Sequence, residues 1–155
     1  DLIYQAFLSD TADKAFSHGH SYTANPLACA AALASLKLLN TAETSKAWQR
    51  LTQGHKTGLH MLQQAVPCIE RVRQCGTIAA FDLPDDYPLA ASQLHQLFLQ
   101  EGLLIRPIAR TVYLMPSYVV TGEQLHNAYE RVAQVLGAQA AIDRTVAPHQ
   151  SEISI

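Results

Sequence analysis

A polar loop rich in histidine and hydroxyl residues runs from Ser17 to Thr23, directly before a helix start at Asn25-Pro26. Asn caps helices through its side chain, and Pro suits the first turn because its missing N–H would be unpaired there anyway. Backbone N–H groups at a helix start, together with nearby hydroxyls, suit a phosphate group. The same residues are also typical of a capping loop that binds nothing, and the residues alone leave both interpretations open.

Side chains that commonly bind metals occur here without the spacing of a metal site. His18 and His20 are separated by one residue with no third ligand nearby, whereas zinc sites use three or four protein ligands. Cys29, Cys68 and Cys75 are odd in number and lack the paired spacing of a zinc site. We therefore predict no metal site, and we expect reduced thiols and a cytoplasmic location.

Arg106 is the second place where the residues could do chemistry. It lies within the otherwise apolar run from Leu103 to Pro107, and a charge seldom lies in such a run unless it has a partner. The partner could be a carboxylate of this chain, or a substrate carboxylate bound through two parallel hydrogen bonds. A strand residue that faces water is the third interpretation. Tyr113, on the next predicted strand, could line the same pocket or fill the core.

The composition excludes several classes of function. The chain has 155 residues, enough for one domain with a sizeable core, and its 48% hydrophobic content is normal for a globular protein. A net charge of −2 with scattered lysines and arginines favours neither nucleic acid nor an anionic membrane surface. No apolar stretch approaches the roughly 20 residues that span a bilayer. The chain begins at Asp1 rather than at a methionine, and we expect it to be part of a longer protein.

Helical periodicity predicts the elements that position these residues. The predicted helices cover residues 2–8, 26–39, 43–65, 90–100 and 121–136. The expected buried positions of the third helix are Trp48, Leu51, Leu59 and Leu62. Gly54 and Gly58 weaken the prediction in the middle of that helix.

Alternation of apolar and polar residues predicts four strands, over residues 69–75, 77–81, 103–106 and 111–114. Strand, strand, helix, strand, strand, helix is an order typical of α+β folds. We therefore predict a small sheet covered by helices and preceded by a long helix. Residues 138–155 are small and polar, which is typical of a flexible tail.

Two segments carry a resemblance to a known family. Tyr22–Ala32 resembles the loop and helix that follow the cofactor-binding lysine in class III aminotransferases, which depend on pyridoxal phosphate. Arg106–Tyr118 resembles a narrower group of that family, which acts in biotin biosynthesis. With the similar opening segment Ile3–Leu8, the resemblance covers roughly residues 1–136.

The resemblance implies the C-terminal part of a fold-type I aminotransferase. Residues 1–40 would be a remnant of the large domain, with the loop for the cofactor phosphate and a connecting helix. Residues 41–137 would form the small C-terminal α+β domain, and residues 138–155 the flexible tail.

The resemblance also implies roles for individual residues. Ser21 falls where the family has a hydroxyl residue that binds the cofactor phosphate, and His20, beside it, stands where the narrower group often has proline. We take both as cofactor-binding candidates. Gly19 falls at a position on the substrate side of the same loop. Arg106 falls on the arginine that binds the substrate carboxylate, and Tyr113 on a tyrosine that lines the active site.

The implied reaction transfers the amino group of S-adenosylmethionine to 8-amino-7-oxononanoate and gives 7,8-diaminononanoate. It needs a lysine that holds pyridoxal phosphate as a Schiff base. None of the lysines present lies in a suitable context; they are Lys14, Lys37, Lys46 and Lys56. We therefore expect this chain to contain no catalytic residue, to hold no covalently bound cofactor and to be inactive alone.

Two other interpretations stay open. The chain could belong to another class III aminotransferase, acting on ornithine-type or other omega-amino substrates, or it could be a non-catalytic dimerisation module. The predicted helix over 26–39 is rich in Ala and Leu on more than one face, so we expect residues 1–40 of different copies to pack together in a homo-oligomer. Small-molecule substrates of the parent enzyme are the other expected partners, with no nucleic acid and no membrane.

Overall fold

The computed structural model describes the backbone of residues 1–146 and the side chains of residues 1–138. The chain divides into two compact units, residues 1–40 and the residues from Thr41 onward. The first unit contains helix α1, Leu2–Ala6, a short 3-10 helix, Ala12–Lys14, and helix α2, Pro26–Leu39. None of the residues in α1 or α2 is buried within the described part of the chain.

Helix α2 begins where the sequence predicts it. The Asn25 side chain accepts hydrogen bonds from the N–H groups of Leu27 and Ala28, at 3.0 and 3.1 Å. Pro26 occupies the first turn, where its missing N–H costs nothing. Two of the N–H groups at this helix start are therefore satisfied by the cap and are not available to an anion.

The second unit is an α+β fold. Its elements are α3, Ala42–Ala65, β1, Glu70–Cys75, β2, Ile78–Asp82, α4, Ala91–Gln100, β3, Thr111–Leu114, and α5, Gly122–Val146. The strands form one antiparallel sheet in the order β1-β2-β3. Helix α3 packs on this sheet, and α5 packs on α3 and α4. The predicted small sheet covered by helices is thus confirmed.

The core lies between one face of the sheet and the helices. Along β3 the side chains alternate, so Val112 and Leu114 are buried while Tyr113 is half-buried on the other face. The largest fully buried side chains are Tyr129, Phe81, Phe98, Leu51, Leu62, Leu83, Leu94 and Leu136. Tyr113 therefore does not fill the core, which resolves one of the alternatives that the sequence left open.

Two glycines that weakened the prediction of α3 lie directly against side chains of α5. A Cβ atom at Gly58 would lie 2.2 Å from Cδ2 of Tyr129, and one at Gly54 would lie 2.7 Å from Cδ2 of Leu125. Real Cβ atoms essentially never show such distances. Both glycines thus lower the helix propensity of α3 but permit its packing against α5.

A buried histidine joins α3 to α5 and to the β1–β2 turn. His55 Nε2 lies 3.0 Å from the carbonyl oxygen of Thr77, and Nδ1 lies 2.8 Å from the Tyr129 hydroxyl. A carbonyl only accepts, so Nε2 carries the proton and the Tyr129 hydroxyl donates to Nδ1 of the neutral ring. Burial lowers the pKa of His55, against a smaller opposite effect of the hydrogen bond to Thr77. His55 is therefore held as the neutral imidazole.

Two sequence predictions about helix residues are wrong. Trp48 is not buried; 46% of it is exposed, because only one side of its ring packs on the turn at Gly76, where Nε1 would lie 3.3 Å from a Cβ built on the glycine. Helix α5 does not end near Leu136 but continues to Val146, so residues 138–146 are helical rather than a tail. Residues 147–155 of the predicted tail lie outside the described residues.

The segment from Leu103 to Arg106 is not a strand. The chain reverses after α4 at Gly102, whose φ is +73°. Because of this reversal, the N–H of Leu103 donates to the carbonyl oxygen of Phe98 at 2.8 Å. The N–H of Ile105 bonds within the segment, to the carbonyl of Leu103 at 3.0 Å. Two N–H groups of the segment are thus used locally, and Pro107 has none, so the run cannot extend the sheet as the sequence predicts.

Candidate functional site

An apolar cleft of about 650 Å³ lies between the segment after α4, the end of β3 and the start of α5. Its walls are mainly aliphatic and include Leu103, Leu104, Met115, Pro116, Val120, Leu125 and Ala128. The polar side chains that line it are those of Arg106, Tyr113 and Gln124. The structure therefore brings Arg106 and Tyr113, which the sequence placed on separate strands, into one cleft.

Arg106 differs from the other arginines in its partners. Arg71 and Arg73 both bind Asp82, and Arg110 binds Asp85 at 2.9 Å. The guanidinium groups of Arg50 and Arg131 donate to backbone carbonyls. Among the arginines whose side chains the structure describes, only Arg106 makes neither a hydrogen bond nor an ion pair within the chain. Its donors are exposed and free to bind an anion in the cleft.

Tyr113 lies on the sheet face opposite to the core. It pairs with Ala80 on β2, which in turn pairs with Arg73 on β1. The Tyr113 hydroxyl has no hydrogen-bond partner among the described residues. This phenol is thus available to a ligand in the cleft, as either a donor or an acceptor.

One wall of the cleft is held by Arg50 from α3. Its guanidinium donates to the carbonyl oxygens of Tyr118 and Val120, at 3.0 and 3.2 Å. At the adjacent start of α5, Thr121 and Gln124 cap each other: the Gln124 side chain accepts from the N–H of Thr121, and the Thr121 hydroxyl accepts from the N–H of Gln124. These contacts fix the loop between β3 and α5, and the two made by Arg50 could not be predicted from the sequence.

An ion cluster at the other end of the sheet fixes β3. The Asp82 carboxylate is buried and accepts hydrogen bonds from Arg71, Arg73 and the Thr111 hydroxyl, at 2.6, 3.0 and 2.7 Å. Donation by Arg73 first, then by Thr111 and Arg71, holds the pKa of Asp82 well below its usual range. Arg71 has a φ of +42° at an irregularity of β1. The cluster joins all three strands just where the turn that follows Arg106 meets the sheet.

The loop before α2 is shaped by its own polar groups. The N–H of His20 donates to the Thr23 hydroxyl, and the N–H of Tyr22 donates to Nδ1 of His20, both at 3.1 Å. His20 Nδ1 is thus an acceptor, which leaves the proton of the neutral ring on Nε2. The Ser21 hydroxyl makes no hydrogen bond to any described residue. This hydroxyl is therefore among those of the loop that have no internal partner. Gly19, two residues before Ser21, is exposed, and nothing lies within 4 Å of a Cβ built on it.

The lysines do not contribute to the cleft. Lys14, Lys37, Lys46 and Lys56 are all exposed, and none of them lines the cleft that contains Arg106. Within the described residues no group of three or more His, Cys, Asp or Glu side chains could hold a metal ion. In residues 1–146 every helix is too short or too polar to cross a bilayer.

Comparison with known proteins identifies the family. The model of the class III aminotransferase family matches residues 3–136, and the chain belongs to that family. Over 141 residues it is 42% identical to adenosylmethionine-8-amino-7-oxononanoate aminotransferase of Synechococcus elongatus, covering 88% of this chain and 32% of that protein. It is also 30% identical to ornithine aminotransferase of Emericella nidulans, covering 90% of this chain and 32% of that protein.

Solved structures agree on the fold. The crystal structure of adenosylmethionine-8-amino-7-oxononanoate aminotransferase from Methanocaldococcus jannaschii matches with a TM-score of 0.68 at 24% identity, covering 88% of this chain and 33% of that one. The fold is therefore that of the matching part of a fold-type I aminotransferase. The chain spans about a third of the length of the relatives that it matches.

Proposed function

We propose that this chain provides the acceptor-carboxylate site of an aminotransferase of biotin biosynthesis. The reaction would transfer the amino group of S-adenosylmethionine to 8-amino-7-oxononanoate and give 7,8-diaminononanoate. The 42% identical relative, which is named for this activity, supports the proposal. The observation that carries it is the free guanidinium of Arg106 at an apolar cleft.

The chemistry of the cleft suits a carboxylate on an alkyl chain. The planar guanidinium of Arg106 has its donors free and can bind both carboxylate oxygens at once. The aliphatic walls, such as Leu104 and Met115, would cover the methylene groups and exclude water from the ion pair. Tyr113 would orient the acceptor from the sheet side with its unpartnered hydroxyl. In this role the chain binds and orients the acceptor and holds no catalytic group.

The loop before α2 fits the phosphate end of pyridoxal phosphate. When bound, this cofactor supplies the carbonyl group that takes up the amino group and passes it on. Ser21 would donate its free hydroxyl to the phosphate, and the protonated Nε2 of His20 could donate beside it. Gly19 would leave room on the substrate side of the same loop. The hydroxyl, the ring N–H and the absence of an internal partner for Ser21 are the features that support this assignment.

We propose that the cofactor-binding lysine is not among the residues of this chain. The four lysines are exposed and lie outside the cleft. The 155-residue chain alone should then neither transfer amino groups nor form a stoichiometric lysine adduct with pyridoxal phosphate. Borohydride treatment followed by peptide mass spectrometry tests this, and one fully labelled lysine would contradict it.

A homo-oligomer is the proposed state of the assembled protein. Helix α2 is apolar on all sides and has no buried residue within the described part of the chain, and such helices are normally covered. We propose that residues 1–40 pack against a second copy, which sedimentation can test against a clean monomer. The free thiols, two of them exposed, support a cytoplasmic location.

The two half-reactions of the full-length aminotransferase that carries this chain test the role of Arg106. In Arg106→Ala, the half-reaction with 8-amino-7-oxononanoate should lose at least about 30-fold in kcat/KM, because a charge-assisted contact to the carboxylate is removed. The half-reaction with S-adenosylmethionine should stay within about twofold. Lys56→Ala, which removes an exposed cation of α3 outside the cleft, is the matched control.

Two outcomes would change the proposal. Equal losses in both half-reactions of Arg106→Ala would remove the assignment of the carboxylate to this residue. If the full-length aminotransferase used ornithine or β-alanine as amino donor and did not use S-adenosylmethionine, the chain would belong to another group of class III aminotransferases.

A further inference from the structure

Arg106 lies in a segment that no strand supports. After α4 the chain reverses at Gly102 and runs back beside the helix. The reversal places residue 103 next to residue 98, where the N–H of Leu103 meets the Phe98 carbonyl. The same path places residue 105 beside residue 95. The peptide that leads into Arg106 therefore depends on α4 rather than on the sheet.

A side chain of α4 takes the place of the missing strand partner. Nδ1 of His95 lies 2.6 Å from the carbonyl oxygen of Ile105. A carbonyl can only accept, so Nδ1 carries a proton and donates it to this oxygen. Helix α4 offers a firm base for the contact, because Leu94 and Phe98 on the same helix are fully buried. The hydrogen bond thus fixes the plane of the peptide between Ile105 and Arg106.

The two residues that flank this peptide both line the cleft but differ in burial. Ile105 is buried and belongs to the core, whereas Arg106 is exposed. The direction of the guanidinium is then set by the burial of Ile105 and by the hydrogen bond from His95. If the peptide rotated, Ile105 could stay in the core while Arg106 moved out of line with a ligand.

We propose that His95 is a positioning residue for Arg106, which holds the guanidinium in the direction that receives the acceptor carboxylate. His95 is not a lining residue of the cleft, so it acts through the backbone and not by touching the ligand. The proposal rests on the proposed function of Arg106. It predicts that losing the donor weakens binding of the carboxylate and leaves the rest of the reaction unchanged.

Two substitutions of similar shape separate the donor from the packing. Leucine and asparagine branch at the same atom, but only the asparagine amide can donate from the place of Nδ1. In the full-length aminotransferase, His95→Leu should raise the KM for 8-amino-7-oxononanoate about tenfold, with an unchanged KM for S-adenosylmethionine and an unchanged kcat. His95→Asn should stay within about twofold of the parent. His60→Leu, an exposed histidine on α3, is the matched control.

Inhibition by nonanoate and by nonan-1-ol provides a second measurement. If His95 had only a structural role, its substitution would change the inhibition by both compounds to the same extent. The two probes share the alkyl chain, and only nonanoate needs the guanidinium. His95→Leu should weaken nonanoate about tenfold and leave nonan-1-ol unchanged. Equal weakening of both probes, or no weakening of either, would overturn the proposal. If His95→Leu does not fold, tenfold weaker nonanoate binding by the folded His95→Asn would overturn it as well.

Arg106→Ala, measured with the same probes, separates this proposal from the function on which it rests. If Arg106→Ala leaves nonanoate binding intact, the assigned role of Arg106 fails. If Arg106→Ala weakens nonanoate and His95→Leu does not, only the role of His95 fails.

Discussion

Helices α2 and α3, which follow each other in the chain, show how differently the two regions of this chain are built. The buried residues of α3 include Ala47, Leu51, His55 and Leu62, which follow one stripe, while the other positions of the helix are mostly polar. Helix α2 carries alanine and leucine around its whole circumference and has no buried residue within the described chain. A helix with one apolar stripe can be satisfied by a single core, whereas a helix that is apolar all round needs cover on several sides.

The difference extends to the candidate functional residues. Arg106 and Tyr113 owe their positions to a core and to contacts between distant elements. Ser21 and His20 lie in a loop whose shape comes from hydrogen bonds between residues two or three apart. The second unit therefore holds its candidate site in place through contacts between distant elements. The first unit provides a locally shaped loop that offers hydrogen-bond donors.

The largest effect that separates the regions is expected from truncating one leucine in each helix. Leu62→Ala in α3 should lower the free energy of unfolding by about 2–5 kcal/mol, because it leaves a cavity in the core. Leu36→Ala in α2 should change it by less than about 0.5 kcal/mol. Urea unfolding measures both, at a protein concentration low enough to keep copies apart. A loss above 1 kcal/mol for Leu36→Ala would show that α2 is covered within a single chain.

A smaller effect is expected from adding one methyl group at a glycine. Gly58→Ala should destabilise the protein by about 1–3 kcal/mol, although alanine favours helices, because the new Cβ would meet the Tyr129 ring. Gly19→Ala is the matched change in the first region and should be close to neutral, since nothing lies within 4 Å of its added Cβ. Thermal unfolding compares the two. A neutral Gly58→Ala would mean that α3 and α5 are packed more loosely than described.

The smallest effect concerns the pH dependence of the second unit. Burial lowers the pKa of His55, so below about pH 6.5 the unfolded chain takes up a proton that the folded one resists. Stability should fall as the pH falls through this range, by at most about 1.4 kcal/mol per pH unit. His55→Gln should be less stable at neutral pH but should lack this slope. An equal slope in His55→Gln would assign the effect to other groups.

Asp82 in the same unit acts in the same direction as His55, but in a lower pH range. The pKa of this carboxylate is lowered, so its contribution is present above about pH 4 and is lost only as the pH falls further. The two groups therefore act in separate pH ranges, and a loss of stability that begins near neutrality is expected from His55 rather than from Asp82.

Features with local causes could be predicted from the sequence. The start of α2 follows from Asn25 and Pro26, and the burial of Leu51 and Leu62 follows from their spacing. The run before Pro107 was wrongly predicted as a strand, because its apolar residues look the same whether the run joins a sheet or turns back along a helix. The pattern of side chains carried no sign of the reversal, apart from Gly102.

The contacts that fix the cleft could not be predicted, because they join residues far apart in the chain. Arg50 and Tyr118 are 68 residues apart, and the Thr111 hydroxyl reaches Asp82 across 29 residues. Arg106 itself was found from its apolar surroundings and from the family resemblance. Its freedom from any internal partner, which sets it apart from the other described arginines, emerged only from the packing of the whole unit.

Arg106 is the residue that we propose binds the carboxylate of the acceptor. A crystal structure of the full-length aminotransferase that carries this chain, with 8-amino-7-oxononanoate bound, tests it most directly. Both carboxylate oxygens are expected within about 2.7–2.9 Å of two Arg106 nitrogens, with the alkyl chain along the aliphatic walls of the cleft. A carboxylate held by another cation, with Arg106 left unpaired, would contradict it.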